Sequence, residues 1–245
     1  MKLEIAGAGW VTPAGIGHSR GGAAFAPGSG ALPRLRSTLF LDAAHPRYGR
    51  FDLYAKAGFG AIAMALRGAG LERWECKRPI GLVVGTQRGC LDNDVAYFRT
   101  AATEGGALAS PNLFAYTLPT SMLGEASIQF GLTGPSFVVD NTHVGRMDGI
   151  HAALDLLRLG LCSTIVAGWC DVHSEIFSGD PGEPCGAVFA VLSRGGERAA
   201  WQWQEKRLVH ECTPIDTIER LVAVVLERTA ADGRNKNDED TGVDR

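Results

Sequence analysis

Short apolar runs that do not alternate with polar residues, set between stretches of helical spacing, constrain the fold of this chain most tightly. The clearest is Pro79-Ile80-Gly81-Leu82-Val83-Val84-Gly85-Thr86. Its apolar run is continuous and ends at Gly85, which predicts a strand covered on both faces. The preceding stretch, Phe51 to Leu71, is rich in alanine and carries Tyr54, Ala57, Ala61, Met64 and Ala65 at helical spacing. Its small side chains permit close packing on a sheet, although Gly58, Gly60 and Gly68 lower its intrinsic helix stability. A helix followed by a buried strand predicts an α/β fold.

The same reading extends along the chain. Leu3 to Val11, Ser136 to Asp140, Thr164 to Gly168 and Gly186 to Ser193 read as further strands, five in all. Flanking helices are predicted from Asp92 to Ala102, Pro119 to Phe130 and Val144 to Leu159, the last with Ile150, Ala153, Leu154 and Leu157 on one face. Residues 18 to 50, rich in Gly, Ala, Pro and Arg, form an irregular surface excursion. Ala199 to His210 reads as a partly exposed strand. Thr213 is expected to cap a last helix, with Pro214 at its first position and Ile215, Ile218, Val222 and Val225 on one face. The polar run from Asp232 to Arg245 reads as a disordered tail, leaving one domain over residues 1–231 and no second one.

Composition excludes several functions. A formal net charge of −3 gives no global attraction to nucleic acid or anionic lipid, so neither is expected as a partner. There is no apolar run of 18 residues and no basic leader before an apolar stretch, so a cytoplasmic protein is expected. Cys76, Cys90, Cys162, Cys170, Cys185 and Cys212 show no metal-ligand spacing with the histidines, and most are expected to be reduced core cysteines. Asp171, His173 and Glu175 are read as solvated loop residues rather than a metal cluster, and no metal or cofactor is assigned. Gly7-Ala8-Gly9, within the first strand, superficially suggests a dinucleotide loop. It lacks a third glycine at Thr12, and Pro13 interrupts any helix there, so that reading is rejected.

Gly131-Leu132-Thr133-Gly134-Pro135-Ser136, followed by Phe137-Val138-Val139, resembles the strand leading into the active-site cysteine of β-ketoacyl synthases. Counting forward from Gly134-Pro135-Ser136, or back from Ala167-Gly168-Trp169, the resemblance places the nucleophile at His143. Val11-Thr12-Pro13-Ala14-Gly15 looks like the family's opening motif, and Phe51-Asp52 with Ala69-Gly70-Leu71 resembles its first long helix. The likeness extends to about Arg194. Ser110 to Pro119, followed by Gly124-Glu125, is similar to the cysteine-less, chain-length-factor-like subunits of aryl polyene-type and related clusters. The resemblance implies a thiolase-like fold in a single amino-terminal-type half, a mixed five-stranded sheet with flanking helices. The second half, with its catalytic histidines and lysine, has no counterpart in this sequence.

At the elbow, where the family has Cys followed three residues later by Gly, this chain has His143-Val144-Gly145-Arg146. A condensing enzyme needs a thiolate at a helix amino terminus, and an acyl-imidazole would hydrolyse readily, so no catalytic residue is assigned. His143 is expected to fill a former pocket and bond to Asn141 or Thr142. The resemblance implies that Ser136, Phe137, Val138, Val139, Asp140 and Asn141 lie in a subunit interface, with Arg146 serving an ion pair or a second chain. Asp148, His151 and Asp155 are expected to pair locally with Arg146 or Arg158.

The implied function is a non-catalytic subunit that forms a heterodimer with a complete ketosynthase. Such a subunit shapes the tunnel for a chain carried on acyl carrier protein, with Phe114, Met122, Phe130, Phe137, Thr142 and His143 as tunnel candidates. Two rivals remain. One is a carrier-protein-dependent decarboxylase or acyltransferase using His143; the other is a homodimeric, non-catalytic half-synthase.

Overall fold

The computed structural model describes residues 1–173, 182–196 and 199–240. Its strands are β1 (Lys2–Thr12), β2 (Gly15–His18), β3 (Ile80–Thr86), β4 (Ser136–Asp140), β5 (Thr164–Asp171), β6 (Gly186–Arg194), β7 (Trp201–Gln204), β8 (Arg207–His210) and β9 (Thr213–Pro214). They form one mixed sheet in the order β4-β3-β5-β6-β1-β7-β8-β9, with β2 paired to β1. The five expected strands are consecutive in it, from β4 at one edge to β1. β3 runs parallel to both β4 and β5, and β6 is antiparallel to β5 and β1.

The central strands are apolar throughout because both faces are covered. Leu82 and Val84 of β3, Val166 of β5 and Phe189 of β6 enter one core; Val83, Ile165, Ala167, Val188 and Ala190 enter the other. Successive side chains point to opposite faces, so two cores need two apolar sets on each strand. The first core lies under α1 (Leu53–Ala69) and α4 (Ser121–Phe130), the second under α5 (Asp148–Leu159) and α6 (Ile218–Asp240). Two further helices, α2 (Leu91–Ala102) and the four-residue α3 (Pro111–Phe114), follow β3.

α1 starts where the Asp52 side chain accepts the Ala55 amide at 2.9 Å, and it ends at Gly70 in the left-handed conformation. The Gly7-Ala8-Gly9 pattern serves packing against this helix: a side chain at Gly9 would meet the Ala65 backbone nitrogen at 2.1 Å.

Among the described residues the sheet has nine strands rather than five, because β2 folds back on β1 and residues 201–214 fold back twice to add three more. Glu205 and Lys206 both take positive φ (51° and 59°), the backbone of a two-residue hairpin turn. Ala199 to His210 is therefore a hairpin, β7 with β8, not one strand. Thr213 and Pro214 pair with His210 and Val209 in β9 rather than starting a helix. α6 begins five residues after Thr213, at Ile218, where the Thr217 hydroxyl accepts the Arg220 amide at 3.2 Å. Helix α6 runs to Asp240, so the segment expected as a disordered tail from Asp232 is helical over most of its length; residues 241–245 lie outside the described residues. No helix among the described residues is long and apolar enough to cross a membrane.

Candidate functional site

β4 is an edge strand. It bonds to β3 on one side and, among the described residues, has no strand neighbour on the other. The Leu82 amide donates to Pro135 at 2.8 Å and the Asn141 amide to Thr86 at 3.0 Å. Alternation along a strand then turns the N–H groups of Phe137 and Val139 toward β3, and those of Ser136, Val138 and Asp140 toward the open edge. Phe137 and Val139 pack partly against the α5 side, and Val138 against the α1 side. Ser136 and Asp140 are exposed at its ends, while Asn141 is buried with its side-chain oxygen unpartnered.

The elbow that follows β4 is not the start of a helix. α5 begins at Asp148, four residues later than its apolar spacing predicts, and Arg146 takes a left-handed φ of 56°. Asp148 explains the difference. Its Oδ2 accepts the amides of Thr142 (2.9 Å) and His143 (3.0 Å), and its Oδ1 lies 2.5 Å from His143 Nδ1. A carboxylate in the first turn thus ties the preceding loop to the positive end of α5. Gly149, next in the chain, lets that turn press on the sheet: a side chain there would meet the Gly168 carbonyl oxygen at 2.2 Å.

His143 consequently differs from expectation. It fills no pocket: its side chain is 72% exposed, and its close partner is Asp148, not Asn141, with Thr142 Oγ1 at 3.4 Å. Arg146, expected in a first helical turn, instead lies inward on its own chain. It forms an ion pair with Glu219 and sits 5.2 Å from the Trp169 ring centroid. Asp155 pairs with Arg158 as expected, and His151 packs on the Trp203 ring at 5.3 Å, its pKa lowered by burial.

The tunnel candidates do not converge. Met122 and Phe130 are fully inside the core beneath α1, the latter 5.8 Å from the Phe59 ring. Phe114 is 61% exposed, against Tyr97 at 5.3 Å, and Phe137 is half-buried on β4. Only Phe137, Thr142 and His143 share the edge and elbow.

Sequence reasoning missed Asp171, which is buried rather than solvated. It accepts hydrogen bonds from Thr86 Oγ1 (2.8 Å), the amides of Gln87 and Arg88 (both 3.0 Å) and Trp169 Nε1 (2.7 Å). Burial raises its pKa while these bonds oppose the rise. It fixes the loop after β3, one wall of a cavity of about 530 Å³ lined by Phe51, Tyr54, Arg88, Cys90, Leu113 and Val172. A polar residue ending a buried strand was the available signal, since such a group must find partners. His173 accepts the Gly30 amide at 3.1 Å, and Glu175 lies outside the described residues. Among the described residues no group of three metal-ligating side chains could hold an ion.

The buried thiols offer no substitute nucleophile. Burial raises Cys90, which Asp94 pushes further, to about 12, and it also raises Cys170 and Cys185. A nucleophilic thiol needs the opposite shift.

Residues 38–184 match the family model of the β-ketoacyl synthase N-terminal domain, and the chain belongs to that family. The ketosynthase α subunit of the tetracenomycin polyketide synthase from Streptomyces glaucescens is 29% identical over 153 residues, 59% of this chain and 33% of that protein. The chain spans no more than a third of the length of the curated relatives it matches. Among solved structures, the ishigamide ketosynthase/chain length factor superposes with a TM-score of 0.61 at 17% identity, covering 81% of this chain and 64% of that one. The ketosynthase ApeO in complex with its chain length factor ApeC, from Xenorhabdus doucetiae, gives 0.54 at 18% identity, covering 80% and 81%. These likenesses show the fold, which is thiolase-like with a mixed sheet between helices.

Proposed function

We propose that this chain is a non-catalytic, chain-length-factor-like subunit that pairs with a complete β-ketoacyl synthase and shapes its acyl tunnel. One observation carries the reading: the open edge of β4 runs directly into an elbow where an exposed histidine, tied to Asp148, stands at the nucleophile position. An edge strand with a free row of backbone donors and acceptors is a template for a strand from another chain. Relatives solved as ketosynthase/chain length factor pairs support this partner, and a structure of a ketosynthase with its acyl carrier protein supports the carrier as substrate donor. Of the tunnel candidates, Phe137, Thr142 and His143 remain, because Met122 and Phe130 are committed to the core and Phe114 faces solvent. Products made by the reconstituted pair test the role. Phe137→Ala should lengthen them by opening space at the edge, and an unchanged length distribution would remove Phe137 from the tunnel.

A second reading has its own observation. His143 Nδ1 at 2.5 Å from a carboxylate that backbone amides hold in place is the arrangement of a base with its orienting acid. The corresponding function is decarboxylation of a malonyl group on a carrier protein.

A further inference from the structure

The elbow is held from below by a segment that lies beyond the stretch matched to the family, residues 216–219. The Ile218 amide donates to the Gly145 carbonyl at 2.9 Å, and a side chain at Gly145 would lie 1.9 Å from the Asp216 carbonyl oxygen. Arg146 reaches across to Glu219, with side chains only 17% and 27% exposed, and its guanidinium stacks over Trp169. Met147 and Ile218 are both buried in the second core. Above this clamp the elbow tip projects into solvent, with Val144 94% exposed. The left-handed φ of Arg146 is an unfavourable conformation for a long side chain, so something must hold it.

We propose that Arg146 and Glu219 are a positioning pair, fastening the elbow to the start of α6 in an unwound conformation. The clamp holds the elbow unwound up to Asp148, whose carboxylate starts α5, and so presents His143 and Val144 outward. This goes beyond the assignment of a partner and holds whichever chain, or none, covers the elbow. A merely exposed ion pair contributes little. Here the guanidinium is largely buried, and loss of Glu219 leaves it without its carboxylate.

Amide hydrogen exchange on the full chain tests the proposal. Glu219→Ala should speed exchange at the amides of His143 and Arg146 by about tenfold or more, through local opening. Core amides of β3 and β5 should keep their rates. The charge-exchanged variant Arg146→Glu/Glu219→Arg should restore protection at the elbow. If Glu219→Ala does not fold, Glu219→Gln, which keeps the shape and loses the charge, is read in the same way. Unchanged elbow exchange, an equal acceleration throughout the sheet, or no rescue by the exchanged pair would each overturn the proposal.

Discussion

At the scale of single residues, the identity of position 143 was legible and its surroundings were not. Two motifs flanking the elbow fix His143 by counting, but its partner depends on where α5 starts, and apolar spacing reports a helix's buried face rather than its first residue. Asp148, an acid at the head of an apolar-periodic stretch, carried the missing information. The His143–Asp148 pair makes the second reading testable. If it acts as a base, His143→Ala should lower carbon dioxide release from malonyl carrier protein by about 10² or more. Equal release by the two proteins, the outcome predicted by the non-catalytic reading, removes the histidine from any such chemistry. Asp52 gives a pH-dependent prediction. Burial raises its pKa from 3.8 to about 6 in the folded chain, outweighing the Ala55 amide bond. Protonated Asp52 is thus favoured by folding: its contribution is complete below about pH 4 and is lost as pH rises through 6. Asp52→Asn keeps the cap without the charge. Its stability relative to wild type, from denaturant melts, should therefore rise between pH 4 and pH 7.

At the scale of elements, the five expected strands and α1, α2, α4 and the body of α5 were legible, the strands as short apolar runs and the helices from their spacing and bounding residues. The segment from Trp201 onward was not. Glu205-Lys206 is no recognised hairpin dipeptide, yet both residues take positive φ, so one expected strand became two. Pro214, which suits a helix start, equally suits a short edge strand with no ladder bond to donate. The edge position of β4 was inaccessible to sequence patterning, since a half-buried strand reads the same at an edge or in the interior. Its geometry predicts a selective variant. Val138 turns its N–H to the open side, so Val138→Pro removes an outward donor without taking a bond from the β3 ladder. Thermal stability should change little, whereas affinity for a ketosynthase should fall by about tenfold or more, roughly the worth of one buried hydrogen bond at an interface. Loss of both together would mean that β4 only serves its own sheet.

At the scale of the molecule, the sheet is covered on both faces by its own helices but leaves the β4 edge open, with the elbow tip beside it. The four aromatic and methionine candidates scattered because burial and proximity are different properties. Met122 and Phe130 are consumed by the core that α1 and α4 share, and what remains for a partner is the edge and the elbow. A protein of this design should be completed by another chain, and the partner predicted is a full-length ketosynthase. Sedimentation of the chain mixed with a complete ketosynthase from the same cell measures this most directly. A complex with the mass of one copy of each is the expected result; a homodimer of this chain that leaves the ketosynthase unbound would overturn the pairing.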